Sequence, residues 1–500
     1  MAAIMTQTIC NFINPFSAIC IDDDSSVGNL MVEKSVKVAL VNPPPPLGAF
    51  VHYQSPLIGI AYIAAVLEKS GCHVTVIDCP PLNLTYDDLK RKIAHFKPDI
   101  VGITSVTVTF SSAVQAARAI KESYRHALVV VGGPHVTVLD EQVLKDHPEV
   151  DVVVRGEGEQ TMLELADIVF THNLKNLQRV DGITFRKNGD IIRTKDRDFI
   201  QNLDELPHPA YKYFPLNKYK LYGKLILPII TSRGCAFNCS FCLAPRMAGK
   251  GFRPRSPKNI VDELEWLRDE HNPDAFTFHD ETFTYDRKRV LEICNKIKNR
   301  NINVPWDCST RSDRIFPDIL AKMRSANCQL ISFGVESGSQ KILNAMKKGT
   351  TVEQNEKAIK WTKEAGISVT ISVIIGYPGE TKDTLRQTLD FIRRTKPDDV
   401  HMSLATPYPG IELYDIVKDM GFKVCDDWSR CDMQMQVFEN PSLTLNFREM
   451  RRQFYNHFYS PAYILRQWIK RDFYSQIMAR AALNQFLWRI KLPRWIFGAR

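Results

Sequence analysis

Regular alternation of strand-like and helix-like segments is the feature that most constrains how this chain can fold. Residues 36–41 (VKVALV) form a continuous apolar run, which is typical of a parallel strand buried on both faces. A predicted helix at 56–70 follows, and Gly71 ends it. This order predicts a doubly wound α/β sheet, which binds ligands at the carboxyl ends of its strands. The further predicted strands are 73–78, 99–106, 127–133 and 150–159, and the helices between them are 85–96, 111–124, 138–146 and 159–170.

A second series of strands and helices begins near residue 225. Each of its strand-like segments ends in polar or glycine residues, and amphipathic helices such as NIVDELEWLRDEH separate them. Six such units predict a partial (β/α)6 barrel with its chemistry at the strand ends. The six segments are 225–234, 275–281, 303–313, 329–337, 368–379 and 400–410.

The two series divide the chain into five predicted segments. Residues 181–225 lose the alternation and carry three prolines, so they indicate a small hairpin and a linker. The segments are a leader at 1–33, expected to be poorly ordered, a ligand-binding sheet at 34–175, the hairpin and linker at 176–224, the partial barrel at 225–425, and a basic, aromatic, helical C-terminal segment at 426–500.

Charge and cysteine content limit the possible partners and the compartment. Residues 448–500 hold eleven Lys and Arg against two acids, which accounts for the whole formal charge of +9. The rest of the chain is neutral, so a nucleic-acid-binding surface is not indicated. The first residues do not resemble a secretory signal, and no uncharged apolar run reaches the ~18 residues of a membrane span. We therefore expect a cytoplasmic protein, in which a tight cysteine group binds metal.

Three cysteines directly after the first barrel strand form such a group. Cys235, Cys239 and Cys242 follow the spacing C-x3-C-x2-C. Three thiolates can hold a [4Fe–4S] cluster and leave one iron open, although thiolates also suit zinc. A zinc site that lacks its fourth ligand and three unrelated thiols are the alternatives.

The segment TSRGCAFNCSFC around these cysteines resembles the signature of radical S-adenosylmethionine (SAM) enzymes. The resemblance implies that SAM chelates the open iron and is cleaved to a radical that abstracts hydrogen from the substrate. FHDETF (278–283), GVESGS (334–339) and VIIGYPGE (373–380) resemble further SAM-binding motifs of these enzymes. The SAM-contacting residues implied in this way are Phe241, Asp280, Glu281, Arg311, Glu336 and Gly376.

Each of these side chains also has a structural interpretation. Phe241 could be a core aromatic residue, and Asp280 and Glu281 could cap the next helix. Arg311 could form a structural salt bridge. The resemblance assigns no catalytic side chain beyond the cluster and the cofactors.

Residues 36–170 resemble the cobalamin-binding domain that precedes the barrel in one large radical SAM subfamily. NPPPP, DIVGITSVT, VVVGGPHVT and VVVRGEGE occur in the matching order, and their glycines let the backbone approach a bulky ligand. No Asp-x-His-x-x-Gly motif occurs, and His52 and His135 do not fit it. The resemblance therefore implies cobalamin without an imidazole ligand, and loss of cobalamin is the alternative. The implied cobalamin-contacting residues are Thr104, Ser105, Thr107, Gly132, Gly133, His135, Gly156 and Glu157.

The C-terminal segment is aromatic and basic. Its spacing predicts one helical face, and that face either packs on the barrel or binds an anionic membrane surface. The residues of the predicted face are Leu465, Trp468, Ile469, Phe473, Ile477, Met478 and Ala481.

Together the resemblances imply a cobalamin-dependent radical SAM enzyme that uses a [4Fe–4S] cluster, SAM and cobalamin. They favour methyl transfer to an unactivated carbon of an apolar, lipid-, isoprenoid- or tetrapyrrole-like substrate, with a flavodoxin or ferredoxin as reductant and possible peripheral attachment to a membrane. A radical cyclase is the alternative, because the arrangement also resembles anaerobic magnesium-protoporphyrin ester cyclases and hopanoid-biosynthesis radical SAM proteins. A tRNA methylthiotransferase would need a second three-cysteine group, which Cys10, Cys20, Cys72 and Cys79 do not provide. A non-catalytic scaffold would not need the cysteine motif.

Overall fold

A computed structural model describes residues 36–46, 55–422, 424, 427–438, 440, 443 and 446–489 of the chain. The predicted leader and His52 lie outside the described residues.

The first part of the fold alternates strands and helices as predicted. Its strands are β1 (Lys37–Asn42), β2 (His73–Asp78), β3 (Ile100–Thr104), β4 (Leu128–Gly132), β5 (Val152–Val154), β6 (Ile183–Lys187) and β7 (Asp190–Arg193). Its helices are α1 (Ile58–Lys69), α2 (Cys79–Leu82), α3 (Tyr86–Phe96), α4 (Phe110–Ser123), α5 (Pro134–Val138), α6 (Asp140–Asp146) and α7 (Glu159–Phe170).

Within the described residues these strands form one sheet in the order β2-β1-β3-β4-β5-β6-β7. Strands β1 to β5 are parallel, which confirms the predicted doubly wound sheet. The predicted hairpin is part of this sheet, because β6 pairs antiparallel with β5 and β7 with β6. It therefore belongs to the first sheet and not to the linker.

The apolar runs of the first sheet separate two cores. Val38 and Leu40 of β1 belong to the core on one face of the sheet, and Ala39 and Val41 belong to the core on the other. Successive side chains of a strand point to opposite faces, so a continuous apolar run is required where both faces are covered.

The second part contains a further series of strands and helices. Its strands are β8 (Lys220–Leu221), β9 (Lys224–Ile229), β10 (Ser232–Arg233), β11 (Arg253–Pro254), β12 (Ala275–Phe278), β13 (Trp306–Thr310), β14 (Cys328–Glu336), β15 (Ser368–Ile375) and β16 (Asp399–Leu404). Its helices are α8 (Ala244–Met247), α9 (Pro257–His271), α10 (Arg287–Asn299), α11 (Pro317–Ser325), α12 (Gln340–Ala345), α13 (Val352–Glu364), α14 (Lys382–Thr395), α15 (Glu412–Asp419), α16 (Phe447–Phe458), α17 (Pro461–Lys470) and α18 (Phe473–Arg489).

The strands of the second part form an open sheet in the order β16-β15-β14-β13-β12-β9-β8 within the described residues. Strands β9 and β12 to β16 are parallel, and β8 pairs antiparallel with β9. The six parallel strands confirm the predicted partial barrel. Strands β10 and β11 form a separate ribbon beside the cysteine loop.

The C-terminal helices pack on the barrel. Tyr455 Oη donates to the carbonyl oxygen of Val400 and accepts from the amide of Met402, and Tyr463 Oη donates to the carbonyl oxygen of Asp398. The hydroxyls of α16 and α17 thus satisfy backbone groups on the open side of β16. Helix α18 packs at the beginnings of the barrel strands, where Tyr474 lies in a cluster with Ala275 and its Oη is 2.6 Å from an Asp307 carboxylate oxygen.

The prediction of a single apolar face on the C-terminal segment is wrong. Arg471 has φ 58° and ends α17, so the periodicity does not continue from α17 into α18. Leu465, Trp468 and Ile469 are exposed. Tyr463 and Ile464 are buried instead, in an apolar cluster with Ala482 of α18. Trp495 and Phe497 lie outside the described residues. None of the described helices is long and apolar enough to span a bilayer.

Candidate active site

The carboxyl ends of both parallel sheets face one cavity of about 470 Å³. The backbone turns that follow β3, β4 and β5 line one side, and the ends of β9 and β12 line the other. Parallel α/β sheets bind ligands at this end of their strands. The cavity therefore lies where the sequence predicted chemistry in each sheet. Its lining includes Leu40, Gly59, Ile63, Thr104, Gly132, Gly133, Gly156, Glu157, Met162, Ile230, Arg233, Met247, His279 and Glu281.

A buried ion-pair network joins the two sheets beside this cavity. Arg233, two residues before the first cysteine, donates to Glu157 at 3.0 Å and to Glu159 at 2.6 Å. Arg253 also donates to Glu157, at 2.8 Å. Burial alone would raise the pKa of Glu157, but the hydrogen bond from Arg253 and the charge of Arg233 lower it overall. Glu157 is therefore an ionised link between the two sheets as well as a residue of the cavity wall.

The structure separates the predicted cobalamin residues into two groups. Five of the eight, Thr104, Gly132, Gly133, Gly156 and Glu157, line the cavity, whereas Ser105, Thr107 and His135 are absent from its lining. A Cβ atom on Gly133, which has φ 117°, would lie 2.3 Å from the backbone oxygen of Ser105. The backbone of Ser105 therefore lies directly against residue 133, and a glycine is required there for the turn to form.

His135 is turned away from the cavity. Its ring centroid lies 4.2 Å from that of Phe110 and 5.5 Å from that of Trp428, and its Nδ1 is 3.4 Å from Thr107 Oγ1. Burial lowers the pKa of His135 to about 4, so the imidazole is neutral at physiological pH. His135 is therefore a core side chain that joins the first sheet to the segment containing Trp428. Among the described residues, the imidazole that lines the cavity is that of His279, which comes from the barrel side.

The cavity fits a large, flat ligand on its first-sheet side. Within the described part of the chain, a Cβ atom built on Gly59 or Gly156 would have no atom of a non-neighbouring residue within 4 Å, so both glycines border open space. Backbone without side chains permits the close approach that a corrin ring requires.

The cysteine loop is held rigidly at both ends. Gly234 has φ 90°, and a Cβ atom there would lie 2.4 Å from the carbonyl oxygen of Gly251. The amide of Cys235 donates to the carbonyl oxygen of Gly249 at 3.2 Å, and the amide of Cys242 donates to that of Cys239 at 3.1 Å. The loop therefore holds the three thiols at one end of the barrel.

Asp280 anchors this loop. Its carboxylate accepts from the amide of Thr231 at 2.7 Å, from the Thr231 hydroxyl, and from the Ser232 hydroxyl at 2.7 Å. Both carboxylate oxygens of this buried residue accept hydrogen bonds, so Asp280 positions the start of β10, and its contact with the SAM amine stays a prediction. Glu281 points into the cavity, and burial raises the pKa of its carboxyl group.

The donor set of the loop fits an iron–sulfur cluster. Burial raises the pKa of the Cys242 thiol to about 11 and raises that of Cys239, while the positive charges of Lys348 and Arg311 act on Cys239 in the opposite sense. In the described part of the chain, no three His, Cys, Asp or Glu side chains converge as the ligands of a single metal ion do. Thiolates are the usual ligands of iron–sulfur clusters, and three of them can hold a [4Fe–4S] cluster with one iron left open.

A buried ion pair lies at the end of β14 beside the thiols. Lys348 Nζ is 2.8 Å from Glu336 Oε1, and Lys348 lies 5.9 Å from the ring centroid of Phe241. Glu336 has φ 64°, a conformation that non-glycine residues adopt rarely and most often at functional sites. A Cβ atom on Gly334 would lie 2.4 Å from Glu336 Oε1. The glycine is therefore required to admit the ion pair.

The remaining predicted SAM residues occupy positions around the same loop. Arg311 pairs with Asp313 at 2.9 Å, lies 3.7 Å from the ring centroid of Phe237, and places Nη1 3.9 Å from Cys239 Sγ. Arg311 thus forms the structural salt bridge and also lies beside a predicted ligand of the cluster. Phe241 packs in the apolar cluster that contains Tyr377.

Gly376 is held by a buried carboxyl group. It has φ 82°, and its amide donates to Glu380 Oε2 at 2.5 Å. Burial raises the pKa of Glu380 to about 7, although this hydrogen bond acts in the opposite direction. Glu380 completes the VIIGYPGE motif and fixes the turn that the sequence assigned to SAM.

Several residues of the site were not predicted from the sequence, and Lys348, His279 and Arg233 are among them. Lys348 lies outside the quoted motifs, His279 lies within FHDETF without a predicted role, and Arg233 precedes the first cysteine. The basic residue in TSRGC and the acids of GEGE were both visible, but nothing in their spacing predicts that they pair.

Comparison with known proteins agrees with this arrangement. The chain matches the Radical SAM superfamily over residues 229–392 and the B12 binding domain over residues 45–166. It is 33% identical to an uncharacterized methyltransferase of Pyrococcus horikoshii over 429 residues, covering 84% of this chain and 93% of the relative. It is 34% identical to the anaerobic magnesium-protoporphyrin IX monomethyl ester cyclase of Rubrivivax gelatinosus over 389 residues, covering 75% and 68%.

A solved structure has the same fold. The radical SAM methyltransferase TsrM from Kitasatospora setae, with tryptophan and a SAM analogue bound, superposes with a TM-score of 0.69 at 18% identity, covering 86% of this chain and 90% of that one. Because the identity is low, this likeness concerns the fold alone.

Proposed function

The chain belongs to the radical SAM enzymes that carry an N-terminal B12-binding domain, and on this premise we propose that it transfers a methyl group to an unactivated carbon of an apolar small molecule. The observation that carries the proposal is the single cavity between the two sheets. Glycine backbone forms its first-sheet wall, and the barrel wall lies beside the cysteine loop. A methyl carrier and a radical source would then act on one enclosed substrate.

The cofactors are those of the family, a [4Fe–4S] cluster, SAM and cobalamin. When bound, the cluster with SAM supplies hydrogen-atom abstraction, and cobalamin supplies methyl transfer. Cys235, Cys239 and Cys242 would hold the cluster. The turns at Gly132, Gly133 and Gly156 would receive the corrin. SAM would contact the residues implied by the sequence, of which Phe241, Arg311 and Glu336 lie around the cysteine loop.

The protein's own side chains would orient and shield the reactants. The Arg233 network holds the two sheets at a fixed separation, so the distance between the two cofactor sites is set by ion pairs. Lys348 and Arg311 place positive charge beside the thiols and so would stabilise anionic ligands of the cluster. Glu281 and His279 are polar side chains on the barrel side of the cavity that could contact a substrate.

Aliphatic and thioether side chains form much of the cavity wall, which supports an apolar substrate. Such walls hold a ligand by burial, while a few polar groups orient it. The Rubrivivax gelatinosus relative, whose name gives a tetrapyrrole substrate, is consistent with this class. The apolar side chains are Leu40, Ile60, Ile63, Val130, Val154, Met162, Ile230 and Met247.

Radical cyclisation is the second candidate reaction, because a cyclase is 34% identical to the chain. The two reactions differ in the fate of the SAM methyl group. Anaerobically reconstituted enzyme should be incubated with a reductant, cobalamin, SAM deuterated in its methyl group, and an extract of a strain from which the gene is deleted. Deuterium in an apolar product would support methyl transfer. A product formed without deuterium would overturn it in favour of cyclisation, and a labelled polar product would overturn the apolar substrate class.

Three further assignments from the sequence remain proposals. A flavodoxin or ferredoxin would reduce the cluster, and the C-terminal segment would attach the protein peripherally to a membrane. The predicted first domain, 34–175, would extend to about residue 193 to include the hairpin, and the barrel would span 225–425. Limited proteolysis tests the limits, and cluster reduction by each purified electron carrier tests the first assignment.

A further inference from the structure

A second cavity, of about 570 Å³, lies outside the active site between α14 and the pair α16 and α17. Its floor is largely apolar and includes Leu389, Ile392, Met450, Phe454 and Phe458. None of these residues lines the cavity between the two sheets. The groove is therefore a separate feature with no role in the proposed reaction.

Basic side chains surround the groove. Arg393, Lys396 and Arg466 line it, and Lys363 and Lys470 lie close by. Burial lowers the pKa of Lys363, and the charges of Arg466, Lys470 and Lys396 lower it further, so these cations lie close enough to repel one another.

Few acids offset these charges. Lys470 pairs with the buried Asp398 at 2.5 Å, and Arg393 pairs with the exposed Asp390 at 2.8 Å. Among the residues that the structure describes, no carboxylate lies within 4 Å of the cationic groups of Lys396 or Arg466. The groove thus combines an apolar floor with uncompensated positive charge, which is complementary to an anionic amphiphile.

The outer face of α17 continues this surface. Leu465, Trp468 and Ile469 are 59%, 52% and 68% exposed, although they are large apolar side chains. Arg466, on the same helix, lines the groove. Exposed Trp and aliphatic side chains flanked by bases are typical of helices that lie in a membrane interface.

We propose that the groove and the outer face of α17 bind an anionic phospholipid of a membrane surface. The phosphate would contact Lys396 and Arg466, an acyl chain would lie over the aromatic floor, and Trp468 would enter the interface. This site goes beyond the proposed reaction and does not depend on it. Each base close to an anionic surface strengthens binding roughly fivefold, so removal of two should weaken it about 30-fold.

Co-sedimentation of the full chain with vesicles tests the proposal. We expect binding to equimolar phosphatidylcholine and phosphatidylglycerol, and little binding to phosphatidylcholine alone. The variant Lys396→Gln with Arg466→Gln should lose about 30-fold in affinity. The control, Lys288→Gln with Lys298→Gln on the exposed side of α10, removes the same charge outside the groove and should lose far less. Trp468→Ser should also weaken binding.

The outcomes separate the alternatives. Equal losses in the groove and control variants would replace the site by general charge attraction, and equal binding to both vesicle types would exclude recognition of phosphate. A change in oligomeric mass on groove substitution, without lipid binding, would assign the groove to a second copy of the chain. Loss of binding only on removal of residues 490–500 would move the contact to that segment. SAM cleavage should be unchanged in the groove variants, so failure here is distinguishable from failure of the proposed reaction.

Discussion

The two walls of the active-site cavity are built in opposite ways. The first sheet presents glycine turns, at Gly132, Gly133 and Gly156, and so offers backbone and space. The barrel presents charged and polar side chains to the cavity, among them Arg233, His279 and Glu281, and the loop that carries the three thiols follows Arg233. A site for a large preformed cofactor needs room, whereas a site that assembles a cluster needs ligands.

This difference determines which kind of substitution should damage each wall. Substitutions that add side-chain atoms should weaken cofactor binding at the first sheet, and substitutions that remove side chains should weaken cofactor binding at the barrel. The four predictions below test this contrast, from the largest expected effect to the smallest.

Removal of the three thiols should abolish the barrel function without affecting the first sheet. The triple variant Cys235→Ala, Cys239→Ala, Cys242→Ala should hold no cluster and form no 5′-deoxyadenosine, because no thiolate remains to bind iron. Iron analysis, electron paramagnetic resonance and chromatography measure this, with Cys72→Ser as the control outside the loop. Loss of cobalamin binding in the triple variant would break the contrast between the walls. Zinc in anaerobic preparations, or undiminished SAM cleavage, would contradict the cluster.

The link between the walls should be strong because it is buried. Arg233→Met leaves the Glu159 carboxylate, which is 5% exposed, without the guanidinium it pairs with. Removal of one partner of a buried pair costs about 3–5 kcal/mol of unfolding free energy. Urea unfolding measures the loss. The control, Arg287→Met, breaks an exposed pair with Asp318 and should cost no more than about 1 kcal/mol. Equal losses would mean that the network does not join the sheets.

The two sheets also hold the glycine turns at their strand ends differently. Glu380 accepts from the amide of Gly376, whereas the Thr137 hydroxyl accepts from the amide of Gly156 at 3.1 Å. The folded state raises the pKa of Glu380 from 4.5 to about 7, so its protonated form is favoured on folding. The stabilisation of the folded state by protonated Glu380 is fully present below pH 4.5 and is lost as the pH rises through 7. This loss lowers the unfolding free energy by about 3 kcal/mol.

Unfolding free energies measured between pH 4 and pH 8 test this sign. Glu380→Gln keeps a neutral side chain and should flatten this part of the pH dependence. Thr137→Val should lower stability by a similar amount at every pH, since a hydroxyl does not titrate in this range. A pH dependence that survives in Glu380→Gln would show that another group causes it.

Addition to the first wall should have the smallest effect. Gly59 lines the cavity on α1, and a side chain there meets no protein atom within 4 Å of its Cβ. Gly59→Trp should therefore weaken cobalamin binding about tenfold, or about 1.4 kcal/mol, by occupying the space of the ligand. Gly59→Ala should leave binding unchanged and stabilise the helix slightly. Absorption titrations measure the affinity, and unchanged affinity in Gly59→Trp would place the cofactor elsewhere.

The sequence predicted the parts of the fold that depend on local pattern. Apolar runs predicted the strands of both sheets, because a strand covered on both faces cannot alternate with polar residues. Motifs at strand ends predicted the cavity edge, since parallel strands bring those ends together. Gly133 and Glu336 were found in this way, although the positive φ of Glu336 was not.

The direction in which a side chain points, and the residues that it contacts, could not be predicted from the sequence. His135 follows a strand as a ligand would, but Phe110 and Trp428 surround it in the folded chain. Asp280 occupies a motif position, and its carboxylate accepts a hydrogen bond from the backbone amide of Thr231. The apolar face of α17 was predicted with the wrong orientation, because the tyrosines on its other side bind β16. Each of these outcomes depends on residues far away in the chain.

The tyrosine contacts along β16 have a consequence for how the molecule can be shortened. A bare edge strand offers unpaired amides and carbonyls as a template for a strand of another molecule, and natural proteins cover such edges. Tyr455 and Tyr463 occupy these groups on β16. A protein that ended near residue 446 would therefore keep its barrel strands but expose the hydrogen-bonding groups of β16. We expect it to aggregate by strand pairing between molecules under conditions in which it is still folded.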